Sequence, residues 1–270
     1  MRNILCVTLI ALLGGCTSTS VTEKYQDKRN DIINVKDKVI EFETGNVLIG
    51  SVSRLYMSNK CLLIADHKSV DKQIHIFNKN DFSYLTSIGN FGEGPEEITV
   101  MGCLAIDEAH HQLYVSDHAK QKIFSYDMDS VMVDSLYKPQ VKTAMNETLF
   151  PSEYQYINDT LSIAVLIKPT STSTFNQFLG RWNMNTGEMI PMKYTHPDIQ
   201  KKRITFAASE KAGIYVECYT RHDLMTICSL DGELLYNIYG PDWDGGNGNK
   251  LQSFGTVMIG NDKIFVSYCG

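Results

Sequence analysis

The chain has 270 residues, 43% of them hydrophobic and 21% charged, with a formal charge of −6. These are the proportions of a globular protein, long enough for one large all-β domain or two smaller ones. Among the first 15 residues only Arg2 is charged, so the remainder carries −7; an acidic chain without a Lys/Arg cluster argues against nucleic acid as a partner and against a polybasic membrane-surface patch.

Taken in chain order, Met1-Arg2-Asn3 is a short basic start and residues 4–13 form an apolar run too short to span a bilayer. The run ends in Leu13-Gly14-Gly15-Cys16, which resembles the processing site of bacterial lipoproteins. That resemblance implies that residues 1–15 are a signal peptide and that Cys16 carries the lipid. Acyl chains add about 0.8 kcal/mol per buried methylene, so a multiply acylated Cys16 would make the membrane a partner. Residues 16–36, mostly polar and charged after Cys16, read as a flexible tether, and residues 37–270 as the domain. Cys6 leaves with the leader, so Cys61, Cys103, Cys218, Cys228 and Cys269 remain. An odd number without C-x-x-C, mostly inside apolar strand patterns, points to buried free thiols; the alternative is a Cys218–Cys228 disulfide between neighbouring strands.

After the tether the pattern is that of strands, without helical periodicity. A first strand is expected over residues 38–42. One group of four follows over 52–57, 61–65, 73–77 and 84–88, and a second over 103–106, 112–116, 122–126 and 131–137. Leu62-Leu63-Ile64-Ala65-Asp66 aligns with Leu113-Tyr114-Val115-Ser116-Asp117, and Gly213 to Tyr219 aligns with Lys263 to Cys269. Leu161 to Val165 supplies a middle copy. A period of about fifty residues with four strands per unit is the signature of propeller blades. Two stacked β-sandwich domains are the alternative, and they would not require a regular period.

Between the first two groups runs Ile88-Gly89-Asn90-Phe91-Gly92-Glu93-Gly94-Pro95. Gly89, Gly92 and Gly94 permit positive φ, and Pro95 fixes its own, so the stretch encodes a tight crossing between units. It is similar to the G-x-x-G-E-G-P loop of the lipid-anchored, six-bladed TolB-like β-propellers common in Bacteroides-type bacteria. The resemblance implies a six-bladed propeller that is exported and held at the cell envelope, at the outer membrane. Residues 37–270 hold about 4.7 repeats of blade length, so the chain reads as C-terminally short, with about five blade repeats.

No G-x-S-x-G, H-E-x-x-H or P-loop occurs. Asp66-His67 and Asp117-His118 fall at equivalent positions of consecutive repeats, where two imidazoles and two carboxylates could converge on a ligand or a metal. The plainer reading is that each Asp closes a turn beside an exposed His. His110 and His111 read as solvated turn residues. Asp242 and Asp244, in the glycine-rich stretch around Trp243, carry oxygens that could ligate Ca²⁺, although the spacing departs from the calcium-loop pattern. Trp243 could stack on a sugar or anchor a partner, and Trp182 is expected between blades. The leading expectation is a non-enzymatic binding or scaffold module for a protein, peptide or glycan. The alternatives are a metal-dependent hydrolase of the lactonase type and a structural subunit completed by a partner chain.

Overall fold

The computed structural model describes residues 21–29, 31–199, 202–248 and 253–268. The leader, the expected lipidation site Cys16, and Cys269 lie outside them. Strand β1 (Glu23–Tyr25) precedes a series of antiparallel sheets, which are propeller blades. Blade 1 is β2 (Ser53–Met57), β3 (Cys61–Asp66), β4 (Lys72–Asn78) and β5 (Tyr84–Asn90). Blade 2 is β6 (Met101–Asp107), β7 (Gln112–Asp117), β8 (Lys122–Asp127) and β9 (Gln140–Ala144). Blade 3 is β10 (Phe150–Asn158), β11 (Leu161–Pro169), β12 (Phe175–Trp182) and β13 (Met189–Pro191). Blade 4 is β14 (Ile204–Ser209), β15 (Ile214–Tyr219), β16 (Leu224–Ser229) and β17 (Leu234–Tyr239). The described part of a fifth blade is β18 (Phe254–Gly260) with β19 (Lys263–Tyr268). The five aligned copies in the sequence are the second strands of the five blades. No helix among the described residues is long and apolar enough to cross a membrane.

Successive residues of a strand point to opposite faces, and here each face meets a different neighbour. In β3, Leu63 and Ala65 pack with Leu113, Val115 and Phe124 of blade 2. Leu62 and Ile64 face the other way, onto Phe42, Ile49 and Phe82. In β7, Leu113 and Val115 face blade 1, whereas Tyr114 faces Tyr154, Tyr156 and Trp182 of blade 3. The same division builds the seams between blades 3 and 4 and between blades 4 and 5. A strand buried on both faces must be apolar at nearly every position, which is why the period-2 signal is blurred. Trp182 is fully buried in the second seam, edge-on to Tyr154 at 5.1 Å between ring centroids.

Three expectations need correction, and one alternative falls. The segment 38–42 is not a strand: a 3₁₀ turn (Lys36–Lys38) is followed by extended chain whose Phe42 stacks on Phe82. The strand expected over 131–137 is replaced by a helix, α1 (Met128–Val133), because the Asp127 side chain accepts from the Ser130 N–H and caps it; the outer strand β9 comes later. The expected tether contains β1, paired in parallel with β17. A Cys218–Cys228 bond is ruled out by parity. Both thiols are free and buried, but Cys218 lies in the seam toward blade 5 and Cys228 in the seam toward blade 3.

Candidate functional site

The first strands of the blades, β2, β6, β10, β14 and β18, together line a central channel with a cavity of about 490 Å³. Its wall combines Tyr56, Leu104, Tyr154, Phe206 and Val257 with the polar groups of Arg54, Glu108, Glu153 and Gln155. Arg54 of blade 1 reaches across to Glu153 of blade 3, Nη1 to Oε1 2.8 Å, with both side chains about half-exposed. Burial, outweighing the nearby Arg54, pushes the Tyr56 phenol up to about 12. Gln155 is spent on structure: its amide donates to the Ala208 carbonyl at 2.9 Å and accepts from the Ala208 N–H at 2.8 Å. Arg54 and Glu153 thus form a half-exposed charged pair in the wall, one a donor and one an acceptor, beside the exposed Glu108, which accepts from the Asn59 N–H at 2.7 Å. Sequence reasoning missed them. Their signal was a charged residue set among the apolar positions of the first strand of a repeat, as in Ser53-Arg54-Leu55 and Ser152-Glu153-Tyr154.

The repeat-related pairs sit at the rim where the chain crosses between blades. Asp66 is buried and accepts from the backbone N–H groups of Gly50 and Lys68, at 2.7 and 2.9 Å. Burial alone would raise its carboxyl, but these backbone donors hold it below the ordinary carboxylate value. Asp117, fully buried, accepts in the same way from Thr99, Val100, Ala119 and Lys120. The histidines are half-buried rather than exposed. His67 Nδ1 lies 3.1 Å from the Met101 carbonyl of blade 2, so it carries the proton and donates. His118 packs edge-on against Phe150 of blade 3, with ring centroids 5.9 Å apart. Each pair is thus a turn-closing Asp followed by a His that contacts the first strand of the next blade. The Nε2 atoms of both histidines are buried without a partner, and burial lowers the pKa of both imidazoles.

The glycine-rich crossing behaves as a built loop. Gly89 adopts φ +74°, and Gly92 φ +158°, whereas Gly94 is not among the positive-φ glycines. The Glu97 carboxylate folds back to accept from the Gly94 N–H at 2.8 Å, following the turn that Pro95 starts. Lys120, from blade 2, donates to the carbonyls of Gly94 and Glu97 at 2.6 Å and of Gly92 at 3.3 Å. The loop is an inter-blade fastening.

Trp243 is half-buried rather than presented to solvent, and lies among His196, His222 and Tyr239 with ring centroids 5.0–6.0 Å away. Asp242 and Asp244 turn to different partners: Asp242 accepts from the Tyr268 hydroxyl at 2.9 Å, and Asp244 faces His222 at 3.8 Å. The group of three among the described residues whose ligand atoms lie within 4.8 Å of one another is Asp107, His110 and Asp159, in hairpins of blades 2 and 3. His110 Nδ1 sits 2.7 Å from Asp107 Oδ2, and that hydrogen bond raises the imidazole pKa. None of the three lines the channel cavity.

Residues 17–180 match the model of the DUF5128 family, described as a 6-bladed beta-propeller. No curated protein matches the chain in sequence. Among solved structures it is similar to a Bacteroides fragilis protein described as exported, with a TM-score of 0.53 and 15% identity over 81% of this chain and 60% of that one. A DUF4221 member from Bacteroides vulgatus gives a TM-score of 0.51 at 11% identity, over 67% and 56% of the two chains. The nidogen–laminin complex gives 0.50 at 10% identity, over 78% and 68%. At such identities these are likenesses of fold. The chain spans 60% and 56% of the lengths of the two Bacteroides proteins.

Proposed function

Because the chain belongs to the DUF5128 family of six-bladed β-propellers, we propose that it is an exported binding or scaffold module that takes a protein, peptide or glycan in its central channel. The carrying observation is the channel wall: a ligand-sized cavity with an apolar lining and the half-exposed Arg54–Glu153 pair set across blades 1 and 3. A ligand offering both an acceptor and a donor, such as a peptide backbone or a sugar hydroxyl array, would engage both charges. Anchoring belongs to the same proposal. The leader and Leu13-Gly14-Gly15-Cys16 support acylation of Cys16 at the cell envelope, in the manner of TolB-like lipoproteins, at the outer membrane. The B. fragilis neighbour, described as exported, agrees with that address.

The test is a screen of peptide and glycan arrays with the chain from residue 17, repeated with the double variant Arg54→Ala/Glu153→Ala. Charge-assisted hydrogen bonds contribute about 1.5–3 kcal/mol, so binding should fall roughly tenfold or more while the thermal transition stays in place. A double variant that binds every hit as well as the parent would remove the channel from consideration. Hydrolysis is the second reading, and Asp107, His110 and Asp159 are the observation for it, as a group able to hold a divalent ion. Their position off the channel wall favours binding. Turnover of a lactone by the pure protein, lost with EDTA and with Asp107→Asn, would reverse that order.

A further inference from the structure

The N-terminal segment is fastened to the propeller at three points. The Thr22 carbonyl accepts from the Asn237 N–H at 2.8 Å, and Glu23–Tyr25 then pairs residue by residue with Asn237–Tyr239 of β17. The Glu23 carboxylate accepts from Asn237 Nδ2 at 3.1 Å and from the Tyr239 hydroxyl at 2.5 Å, while Tyr25 stacks on Tyr239 with ring centroids 4.5 Å apart. Arg29 closes the segment by pairing with the fully buried side chain of Asp223 and lying 3.8 Å from the centroid of the Tyr268 ring. The fastening therefore begins at Thr22, on the outer edge of blade 4.

Thr22 is six Cα–Cα steps from Cys16, with five residues between them, a reach of at most about 22 Å when fully extended. A folded domain of this size is about 45 Å across, so a lipid on Cys16 cannot leave the propeller free to tumble above the bilayer. The edge it would hold down also has the composition for that contact. Tyr25, Leu235 and Tyr236 are exposed there, and the Lys24 ammonium lies over the Tyr236 ring at 5.8 Å. Tyrosine rings with a neighbouring lysine suit the headgroup region, where an apolar body meets a polar boundary.

We propose that the outer edge of blade 4, closed by β1, is the face the propeller lays against a lipid bilayer. The inference rests on acylation of Cys16, as proposed above. Blade 1 and its rim are then turned away from the membrane.

The experiment uses the full, acylated chain reconstituted into phosphatidylethanolamine–phosphatidylglycerol vesicles containing a nitroxide-labelled lipid. In a Cys269→Ser background the four described thiols are buried, so a fluorophore can be placed on Glu233→Cys beside the blade 4 edge or on Lys79→Cys in blade 1. The expected result is several-fold stronger quenching at position 233 than at 79. Inserting a flexible Gly/Ser segment between Ser20 and Val21 should shrink that difference with the fold intact, and Glu23→Ala with Tyr25→Ala should do the same. Equal quenching at the two positions, with the protein still vesicle-bound, would overturn the membrane-facing edge and leave the anchor standing. Vesicle association no greater than that of Cys16→Ala would overturn both.

Discussion

Lys120 shows how one side chain holds two blades. Its ammonium is capped by the carbonyls of Gly92, Gly94 and Glu97, groups that the tight crossing leaves without strand partners. Replacing it with Met keeps the stem and removes the charge, taking the ammonium from the Glu97 carbonyl while those of Gly92 and Gly94 keep the Thr99 hydroxyl and the Glu97 N–H. The expected loss is about 2–3 kcal/mol in a urea melt. Gly92 is constrained from the other side. A Cβ there would meet Glu97 Oε2 at 2.0 Å, so Gly92→Ala should cost about 1–3 kcal/mol; a variant as stable as the parent would show that the Glu97 side chain moves aside freely. Five histidines that are buried or partly buried add a pH dependence with a definite sign. His67, His75, His118, His196 and His222 all have pKa values pushed below 6.5, in each case first by burial. In the window below 6.5 the unfolded chain takes up protons that the folded chain refuses, so stability falls as pH falls. For His67 the Arg54 guanidinium opposes protonation and Asp66 favours it; for His118 the opposing group is His67 and the favouring one Asp117. The melting temperature should decline between neutral pH and pH 5, and His118→Gln should flatten part of that decline. A profile unchanged by His118→Gln would mean that this imidazole titrates freely.

At the scale of elements, the second strands of the blades were legible because their apolar run recurs at a regular spacing, and in blades 1 and 2 it ends in Asp66 and Asp117, which serve one backbone purpose twice. The helix α1 was not legible. Its six residues bury Val131 alone, and a single apolar anchor satisfies a strand pattern as well as a helical one. What decides it is the Asp127 cap, a local hydrogen bond that reads in sequence as a turn. Strand β1 was hidden for a different reason. Glu23-Lys24-Tyr25 is a polar triplet whose partner lies more than two hundred residues away, and no local pattern encodes that pairing. Arg54 and Glu153 were obscured in the same way, since only closing the blades around an axis brings them together. The N-terminal segment offers a direct test of its fastening. Asp223 has no exposed side-chain surface and pairs with Arg29, so Arg29→Ala leaves a buried carboxylate that still accepts from the Asp242 N–H. Breaking such a pair costs about 3 kcal/mol. Arg29→Lys should recover part of this at most, because an ammonium replaces neither the planar fork nor the stacking over Tyr268. Full recovery with Lys, read in the same melt, would reduce the contact to a simple charge.

At the scale of the molecule, the apolar core is divided among seams, each shared by two adjacent blades. Residues alternate between the two seams of their blade, so the sequence contains the information for each seam but interleaves it. That arrangement makes stability a sum over neighbouring contacts, as in other repeat architectures. The consequence can be measured with conservative substitutions that spare the fold. Ile74 and Ile98 are fully buried, and their Cδ1 atoms lie 3.5 and 3.0 Å from the point where a Gly89 Cβ would sit, so they meet above that glycine in the seam between blades 1 and 2. Ile163 is equally buried in the seam between blades 3 and 4. Each change to Val should cost about 0.5–1.5 kcal/mol. In the double variant Ile74→Val/Ile98→Val the costs should depart from additivity by at least about 0.5 kcal/mol, because the two methyl groups shape one space. In Ile74→Val/Ile163→Val they should add within about 0.5 kcal/mol. If the distant pair couples as strongly as the adjacent one, stress passes around the ring through the blades themselves, and the seams are not independent units.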